Sequence, residues 1–413
     1  MNSIEELIGL PEFKIININT KYSKKVVIDV ETKTEKLRCP KCKKFTYSIN
    51  HRYNHTVRDN SISRRDAYLN IHQKVFHCNP CDYSFSENLE SVYPKHIYTK
   101  YYEQTIFENC LQTTITTVSR FQKLPYDCVR GIYKRIGDIC VEHLLKFKED
   151  IEILGIDEIS IRKGHKNFQA VVSNIGEGYV MDVLPDRKKE TVVKYLKKLP
   201  RKAKKRIVFV SIDMWEGYFN ATKEVLPNTT IIIDRFHVMK NLNAGITSYR
   251  RNIQRSISKN LRDKYKGYRW VLVKNEDNMT DEDMLKLKKM MKDCPELKRL
   301  YELKVEFQNI FDHTRKVKVA DKKLRKWEEK VKELYDIEME KFLKLLKNWR
   351  EWILNYFVSN KVTNAFVEGM NNKIKVIKRM GYGYRNKMNF RRKVLVECGY
   401  NNLPKNKKLI FLQ

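Results

Sequence analysis

The rhythm of apolar and polar positions changes along the chain, and each change predicts a different kind of element. Near the N-terminus, Tyr68-Leu69-Asn70-Ile71-His72-Gln73-Lys74-Val75-Phe76 has the text of a strand. From Tyr101 to Leu111 the apolar residues fall at helical spacing. A short helix follows over Thr116–Phe121. A turn at 122–125 contains Pro125, and a second helix begins at Tyr126 with Val129, Ile132 and Ile136 on its inner face. From Ile151 the pattern becomes that of an α/β domain. Strands are expected at 151–156, 167–174, 179–184, 206–212 and 229–233, with a helix at 188–199. The first three follow one another closely, which favours antiparallel pairing. The run 206–212 is apolar almost throughout, as a central strand covered on both faces would be. From about Asn243 to Tyr356 the text is helical again. One apolar stripe joins Leu300, Leu303, Phe307, Ile310 and Phe311, and a second joins Ile337, Phe342, Leu345, Leu346, Trp349, Ile353 and Tyr356.

Composition adds the kind of partner. The chain has 413 residues, of which 42% are apolar, enough for several cored domains. Lys and Arg number 83 against 50 Asp and Glu, a formal net charge of +33. An AT-rich genome, which inflates Lys together with Asn, Ile and Tyr, contributes to such a balance without explaining the excess over acids; a polyanionic partner explains it, and nucleic acid is the expected one. No apolar run reaches the ~18 residues of a membrane span, and the first residues lack the basic start of a signal peptide. A cytoplasmic protein without a membrane partner is expected.

Nine cysteines in a reducing compartment argue for metal or buried thiols rather than disulfides. Cys39-Pro40-Lys41-Cys42 and Cys78-Asn79-Pro80-Cys81 are two CxxC turns, and two such turns complete a tetrahedral zinc site. The residues between them fit an extended hairpin, so a zinc ribbon is predicted. Cys110, Cys128, Cys140, Cys294 and Cys398 are isolated and are expected in cores. The helical pair after it reads as a helix-turn-helix, with Arg130, Lys134 and Arg135 free to meet DNA.

Three carboxylates carry the candidate chemistry. Asp157 ends the run 152–156, Asp213 ends the run 207–212, and Glu368 sits in the helical-looking text Asn364-Ala365-Phe366-Val367-Glu368-Gly369-Met370-Asn371-Asn372. Two Asp at strand ends and a later helical Glu are the means by which a ribonuclease-H-like mixed sheet holds two divalent metals. Hard cations such as Mg²⁺ (or Mn²⁺) take carboxylate oxygens, and a paired site can clamp both reacting oxygens of a phosphodiester. Asp234-Arg235-Phe236-His237 ends the strand at 229–233 and sets an acid and an imidazole at the same sheet edge. Asn364, Glu368, Asn371, Asn372, Lys375 and Arg379 recur at three- and four-residue steps, so one helical face is expected to carry metal and DNA contacts together. Arg385, in the loop Gly381-Tyr382-Gly383-Tyr384-Arg385-Asn386, suits DNA backbone contact or base stacking. Each Asp taken singly also suits a loop turn or helix cap. The residues leave open a DNA-binding regulator, or a structure-specific nuclease, on the same scaffold.

Taken together, the paired CxxC turns, the helix-turn-helix, Gly155-Ile156-Asp157-Glu158, Ile212-Asp213-Met214-Trp215 with Tyr218, Asp234-Arg235-Phe236-His237-Val238 and Asn371-Asn372-Lys373-Ile374-Lys375 resemble the DDE-class insertion-sequence transposases of ISL family three. The resemblance covers most of the chain. It implies that Asp157, Asp213 and Glu368 form the metal-binding triad and that Asp234 and His237 match the acid-x-x-His element of relatives with helical insertions. It also implies a bacterial or archaeal enzyme acting at the nucleoid as a homodimer or larger synaptic assembly. Its substrates would be double-stranded terminal inverted repeats and target DNA, cut and joined at one site. The expected plan is a zinc-ribbon domain at 1–95, a helix-turn-helix domain at 96–148 and the first part of the catalytic domain at 149–242. A helical insertion then occupies 243–357, and the last part of the catalytic domain, with the Glu helix, 358–413.

Overall fold

The computed structural model describes residues 9–160, 168–256, 269–359, 365–381, 384 and 386–408. The chain divides into two compact units between Cys140 and Val141.

The first unit is built on one sheet. Its strands are β1 (Phe13–Asn19), β2 (Lys25–Thr32), β5 (Ile49–Ile62), β6 (Arg65–Cys78) and β7 (Tyr83–Ser86), in the order β1-β2-β6-β5 with β7 also on β6. β2 and β6 run parallel; the other neighbours are antiparallel. The β1–β2 hairpin is an addition to the predicted ribbon. Its signal was the alternation of Val26, Ile28 and Val30, which are buried against Leu69 and Ile71 of β6. Two short strands, β3 (Leu37–Arg38) and β4 (Phe45–Thr46), flank the first CxxC turn. Ser63 and Arg64, at φ 49° and 64°, close the long β5–β6 hairpin with the left-handed geometry that matches strand twist. Three helices follow: α1 (Lys100–Gln112), α2 (Ile115–Gln122) and α3 (Tyr126–Leu144). The hydroxyls of Thr99 and Thr114 cap α1 and α2 by accepting the N–H groups of Tyr102 and Thr117. Lys123, at φ 53°, ends α2 and turns the chain into α3. Val129, Ile132 and Ile136 are buried, as their spacing requires.

The second unit holds a mixed five-stranded sheet in the order β10-β9-β8-β11-β12. The strands are β8 (Ile153–Ser160), β9 (Phe168–Asn174), β10 (Tyr179–Val183), β11 (Phe209–Ile212) and β12 (Thr230–Ile233). β8, β9 and β10 form an antiparallel meander, and β11 and β12 run parallel to β8. Between β10 and β12 lie α4 (Lys189–Lys197), α5 (Arg201–Arg206) and α6 (Glu216–Val225). The strand expected from Arg206 begins only at Phe209. Pro200 starts a new helical turn that runs through Arg206 and leaves 207–208 as its exit.

Beyond β12 the chain becomes helical: α7 (Arg235–Ser256), α8 (Arg269–Val273), α9 (Asp281–Asp293), α10 (Pro295–His313), α11 (Val317–Lys332) and α12 (Ile337–Val358). Trp327 of α11 is fully buried among Phe307 and Phe342, and its indole N–H donates to the Leu303 carbonyl at 2.7 Å. The helix α12 leaves this cluster for the sheet. Asn355 donates to the Ile231 carbonyl of β12 at 2.8 Å, and Trp349 and Trp352 pack edge-on against Phe219 of α6. The last helices are α13 (Ala365–Met380) and α14 (Lys387–Val394), and a single π turn follows at Leu395–Gly399. No helix among the described residues is long and apolar enough to cross a membrane.

Candidate active site and metal centre

Strand register brings the acids together. β11 pairs Ser211 with Gly155 of β8 and Ile212 with Ile233 of β12. Continued by two residues on β8 and one on each of the other strands, that register sets Asp157, Asp213 and Asp234 level across three neighbouring parallel strands. Asp213 and Asp234 lie just past their strands, as predicted. Asp157 does not end its strand: β8 continues to Ser160, and Asp157 sits opposite Val171. The reason is β9, whose antiparallel pairing carries β8 beyond the point where β11 stops.

The Asp157 carboxylate is buried and held at both oxygens. Oδ1 accepts the Glu158 N–H at 2.6 Å, and Oδ2 accepts the Asn371 side-chain N–H at 2.5 Å. His237 Nε2 lies 3.5 Å from Asp157 Oδ1 and 3.8 Å from Asp234 Oδ2, so the imidazole stands between two carboxylates. Asp234 also starts α7: its Oδ1 accepts the Phe236 N–H, and its carbonyl accepts the His237 N–H. Burial opposes the charge on both Asp157 and His237. Their mutual attraction overcomes it, holding Asp157 below the usual carboxylate range and His237 above the usual imidazole range. Asp213 differs. Burial, and then the negative charges of Glu158 and Asp157, push it up to about 6 against the pull of His237. Its Oδ1 is buried with no hydrogen-bond partner, as is the Oδ1 of Asn371. A buried oxygen left without a donor costs about 1–3 kcal/mol. Two of them beside a carboxylate make a donor set suited to a hard cation.

Glu368 is carried by α13, and Gly155 explains how that helix is seated. A Cβ at Gly155 would lie 3.5 Å from Val367 Cγ2, so the bare backbone of β8 admits α13 closely. Three contacts follow in order along both elements: Val367 over Gly155, Asn371 on Asp157, and the Lys378 ammonium on the Ser160 carbonyl at 2.9 Å. The two elements therefore run side by side in the same direction, with about 6 Å between the first two contacts and about 10 Å between the last two. Val367, Ile374 and Ile377 are buried against the core. Glu368, Asn372, Lys375 and Arg379 form an exposed stripe. Asn371 does not share that stripe, as its spacing had suggested; it turns inward to Asp157. Asp157, Asp213 and Glu368 are not drawn into a tight cluster. Among the described residues, only the four cysteines bring three or more metal-ligating side chains within 4.8 Å of one another. Asn364 and Arg385 lie outside the described residues.

Sequence reasoning missed Arg187. Its guanidinium lies 4.4 Å from the ring centres of both Phe168 and Trp215, and it pairs with Glu158. It is a fixed cation whose charge favours the ionised form of Asp213. Nothing in the loop text before α4 signals it, because its partners come from β8, β9 and the start of α6. Tyr218, fully buried, carries a hydroxyl raised above its ordinary range by burial and then by the charge of Asp213.

In the first unit, the sulfurs of Cys39, Cys42, Cys78 and Cys81 all lie within 4.8 Å of one another, and Cys42 Sγ is 3.7 Å from Cys78 Sγ. Bonds of about 2.3 Å to one tetrahedral zinc place sulfurs roughly 3.8 Å apart. Left-handed turns at Lys43 and Asp82 close the two knuckles. The Cys42 thiol beside it pushes Cys81 up to about 12, the response of four acids crowded together. Of the three cations expected to meet DNA, Arg130 and Lys134 are exposed, with Arg130 2.9 Å from Asp127. Arg135 is not free, contrary to expectation. It pairs with the buried Glu103 of α1 and stacks 4.4 Å over Tyr93, because its side chain leaves α3 on the face turned to α1.

Comparison with known proteins identifies the family. A family described as transposase matches residues 154–394, which carry all five candidate catalytic residues. The transposase for insertion sequence element IS1001 of Bordetella parapertussis is 27% identical over 337 residues, covering 81% of this chain and 82% of the relative. The transposase for insertion sequence element IS1557 of Mycobacterium tuberculosis is 22% identical over 312 residues, covering 70% and 69%. The family match spans more than half of the chain, and the chain belongs to the ISL3 family of DDE transposases.

Proposed function

We propose that this transposase recognises the terminal inverted repeats of its element and then cuts and joins DNA strands at the Asp157, Asp213 and Glu368 site. The observation that carries the proposal is the alignment of Asp157, Asp213 and Asp234 at one level of the sheet, with an unpartnered Asp213 oxygen beside them. The sheet order, an antiparallel meander followed by two parallel strands, supports a ribonuclease-H-like reading of the catalytic domain. Asp157 and Asp213, with Glu368 from α13, would hold two Mg²⁺ or Mn²⁺ ions. Such ions neutralise charge on the phosphodiester and bring attacking and leaving oxygens into line.

The chain's own residues do the rest. Asn371 and the Glu158 N–H fix the plane of the Asp157 carboxylate. His237, between Asp157 and Asp234, keeps the Asp157 carboxylate ionised. Lys375 and Arg379 extend the exposed stripe of Glu368 and suit the DNA backbone. Water attacks in the cutting step and the freed 3′-hydroxyl attacks in the joining step, so no protein nucleophile is needed. In the first unit, Cys39, Cys42, Cys78 and Cys81 would hold a structural zinc ion, and Arg130 and Lys134 of α3 would meet DNA. Two DNA ends must be handled together, which favours a homodimer or larger synaptic complex.

The test is strand transfer of a pre-cut, labelled element end with Mg²⁺, comparing wild type with Asp213→Asn. Joining by wild type alone supports the proposal. Tight DNA binding with neither cutting nor joining, under Mg²⁺ or Mn²⁺, would make the chain a regulator. Cutting without joining would make it a nuclease.

A further inference from the structure

The Asn371 amide is oriented by charge. Its N–H donates to Asp157 Oδ2 at 2.5 Å, and turning the group over would press Oδ1 against the same carboxylate oxygen, acceptor to acceptor. Oδ1 is therefore fixed on the other side of the amide, where it is buried without a donor. The two polar atoms of one amide are about 2.2 Å apart, so Oδ1 lies within roughly 4.7 Å of Asp157 Oδ2. Oxygens bound to one octahedral Mg²⁺ at ~2.0–2.1 Å stand about 2.9 Å apart when adjacent and about 4.2 Å when opposite. The part of that range up to about 4.2 Å is one that a single cation can bridge. The buried Asp213 Oδ1, likewise without a partner, lies one residue past β11, the strand paired with β8.

We infer that Asn371 works in two directions: its N–H positions Asp157, and its Oδ1 is a neutral oxygen ligand for the divalent cation. This rests on the proposed metal-binding role of Asp157 and Asp213. The amide suits the place because a further carboxylate would add to the charges of Asp157, Asp213, Asp234 and Glu158 already gathered there. An amide supplies the oxygen without the charge, and one that must also donate to Asp157 cannot be replaced by an acid without losing half of its work.

The experiment is Mn²⁺ binding to the zinc-loaded, full-length protein without DNA, read from the electron paramagnetic resonance of free Mn²⁺, with thermal melting in chelator as the control for folding. Asn371→Ala removes both functions and should weaken binding about tenfold or more, the range seen when a group supporting a metal ligand is lost. Asn371→Asp keeps the oxygen and loses the N–H, and should bind within about threefold of wild type. Strand transfer by Asn371→Ala should recover as Mn²⁺ is raised. Wild-type affinity in Asn371→Ala, or an Asn371→Asp weakened as far as Asn371→Ala, would overturn the ligand assignment. If Asn371→Ala does not fold, Asn371→Asp decides alone: binding within about threefold of wild type supports the assignment, and a loss of about tenfold or more overturns it. Asp157→Asn and Asp213→Asn separate the two levels of the argument. If they abolish Mn²⁺ binding while Asn371→Ala does not, only Asn371 is misassigned; if they too leave it unchanged, the metal-site proposal itself falls.

Discussion

Replacing Gly155 should disable the site while leaving the protein folded. An added Cβ there would lie 2.9 Å from Ile175 Cδ1, 3.0 Å from Ile175 Cγ1 and 3.5 Å from Val367 Cγ2. In Gly155→Ala the Ile175 side chain can swing aside. The strain is partly offset by about 0.5–1 kcal/mol from a stiffer unfolded chain, so stability should change by no more than about 1 kcal/mol. Gly155→Val adds methyls ~1.5 Å beyond that Cβ. One directed at α13 would come within roughly 2 Å of Val367, against ordinary contact at 3.5–4.0 Å. β8 cannot yield, being bonded to β9 on one side and β11 on the other. The helix must therefore retreat by on the order of 1 Å, at an overpacking cost of about 1–3 kcal/mol. The 2.5 Å bond from Asn371 to Asp157 would not survive that retreat, and Glu368 moves on the same helix. Misplacement by ~1 Å commonly costs about a hundredfold in rate. Strand transfer of a pre-cut end, with melting measured in parallel, should show Gly155→Val about a hundredfold slower and still cooperative, and Gly155→Ala within tenfold of wild type. A Gly155→Val protein that joins DNA at the wild-type rate would refute the idea that this close approach places the helix.

Further predictions test the two units separately. Arg135→Met should cost about 2–3 kcal/mol in urea unfolding, because it strips a cation from the buried Glu103; the figure is set below that of a fully buried pair because Arg135 is partly exposed. Arg130→Ala and Lys134→Ala should leave unfolding within about 0.5 kcal/mol and lower the salt slope of DNA binding by roughly one each. Trp327→Ala should cost about 3–5 kcal/mol, and Trp327→Phe a smaller amount, about 1–3 kcal/mol, since the bond to Leu303 and part of the ring packing are lost. Lys304 is buried, its ammonium donates to the Leu272 and Lys274 carbonyls, and burial brings it down to about 8 from 10.5. The unfolded chain then binds more protons between these values, so stability should rise with pH across that window, by about 3 kcal/mol in all. The contribution is fully present above about 10.5 and lost as pH falls through about 8. Unfolding curves from pH 7 to 11 should lose this slope in Lys304→Met relative to wild type.

Much of the site was legible because its signals are local. An apolar run names a strand, and the acid that follows it is visible at once, as with Asp213 and Asp234. Two CxxC turns declare a cluster of four sulfurs whatever separates them. The misreadings occurred where a partner from elsewhere decides the outcome. Asp157 looked like a strand end because its own run stops there, but β9 extends the strand. Arg135 looked free because nothing within α3 claims it; Glu103 and Tyr93 do. Asn371 fell on the Glu368 stripe by count, yet the Asp157 carboxylate draws it inward.

The long helical segment shows the same principle at a larger scale. Its apolar stripes announced packing without naming a partner, so it read only as a helical domain inserted before the Glu helix. Its two ends are tied to the site. α7 begins at Asp234 and carries His237 in its first turn, so the segment starts from a residue of the acidic row. α12 returns to β12 through Asn355 and to α6 through the ring cluster of Phe219, Trp349 and Trp352. The α6 helix follows directly on Asp213 and Trp215, and β12 leads directly into Asp234. The insertion therefore closes on the two elements that aim the second and third acids before the chain reaches α13.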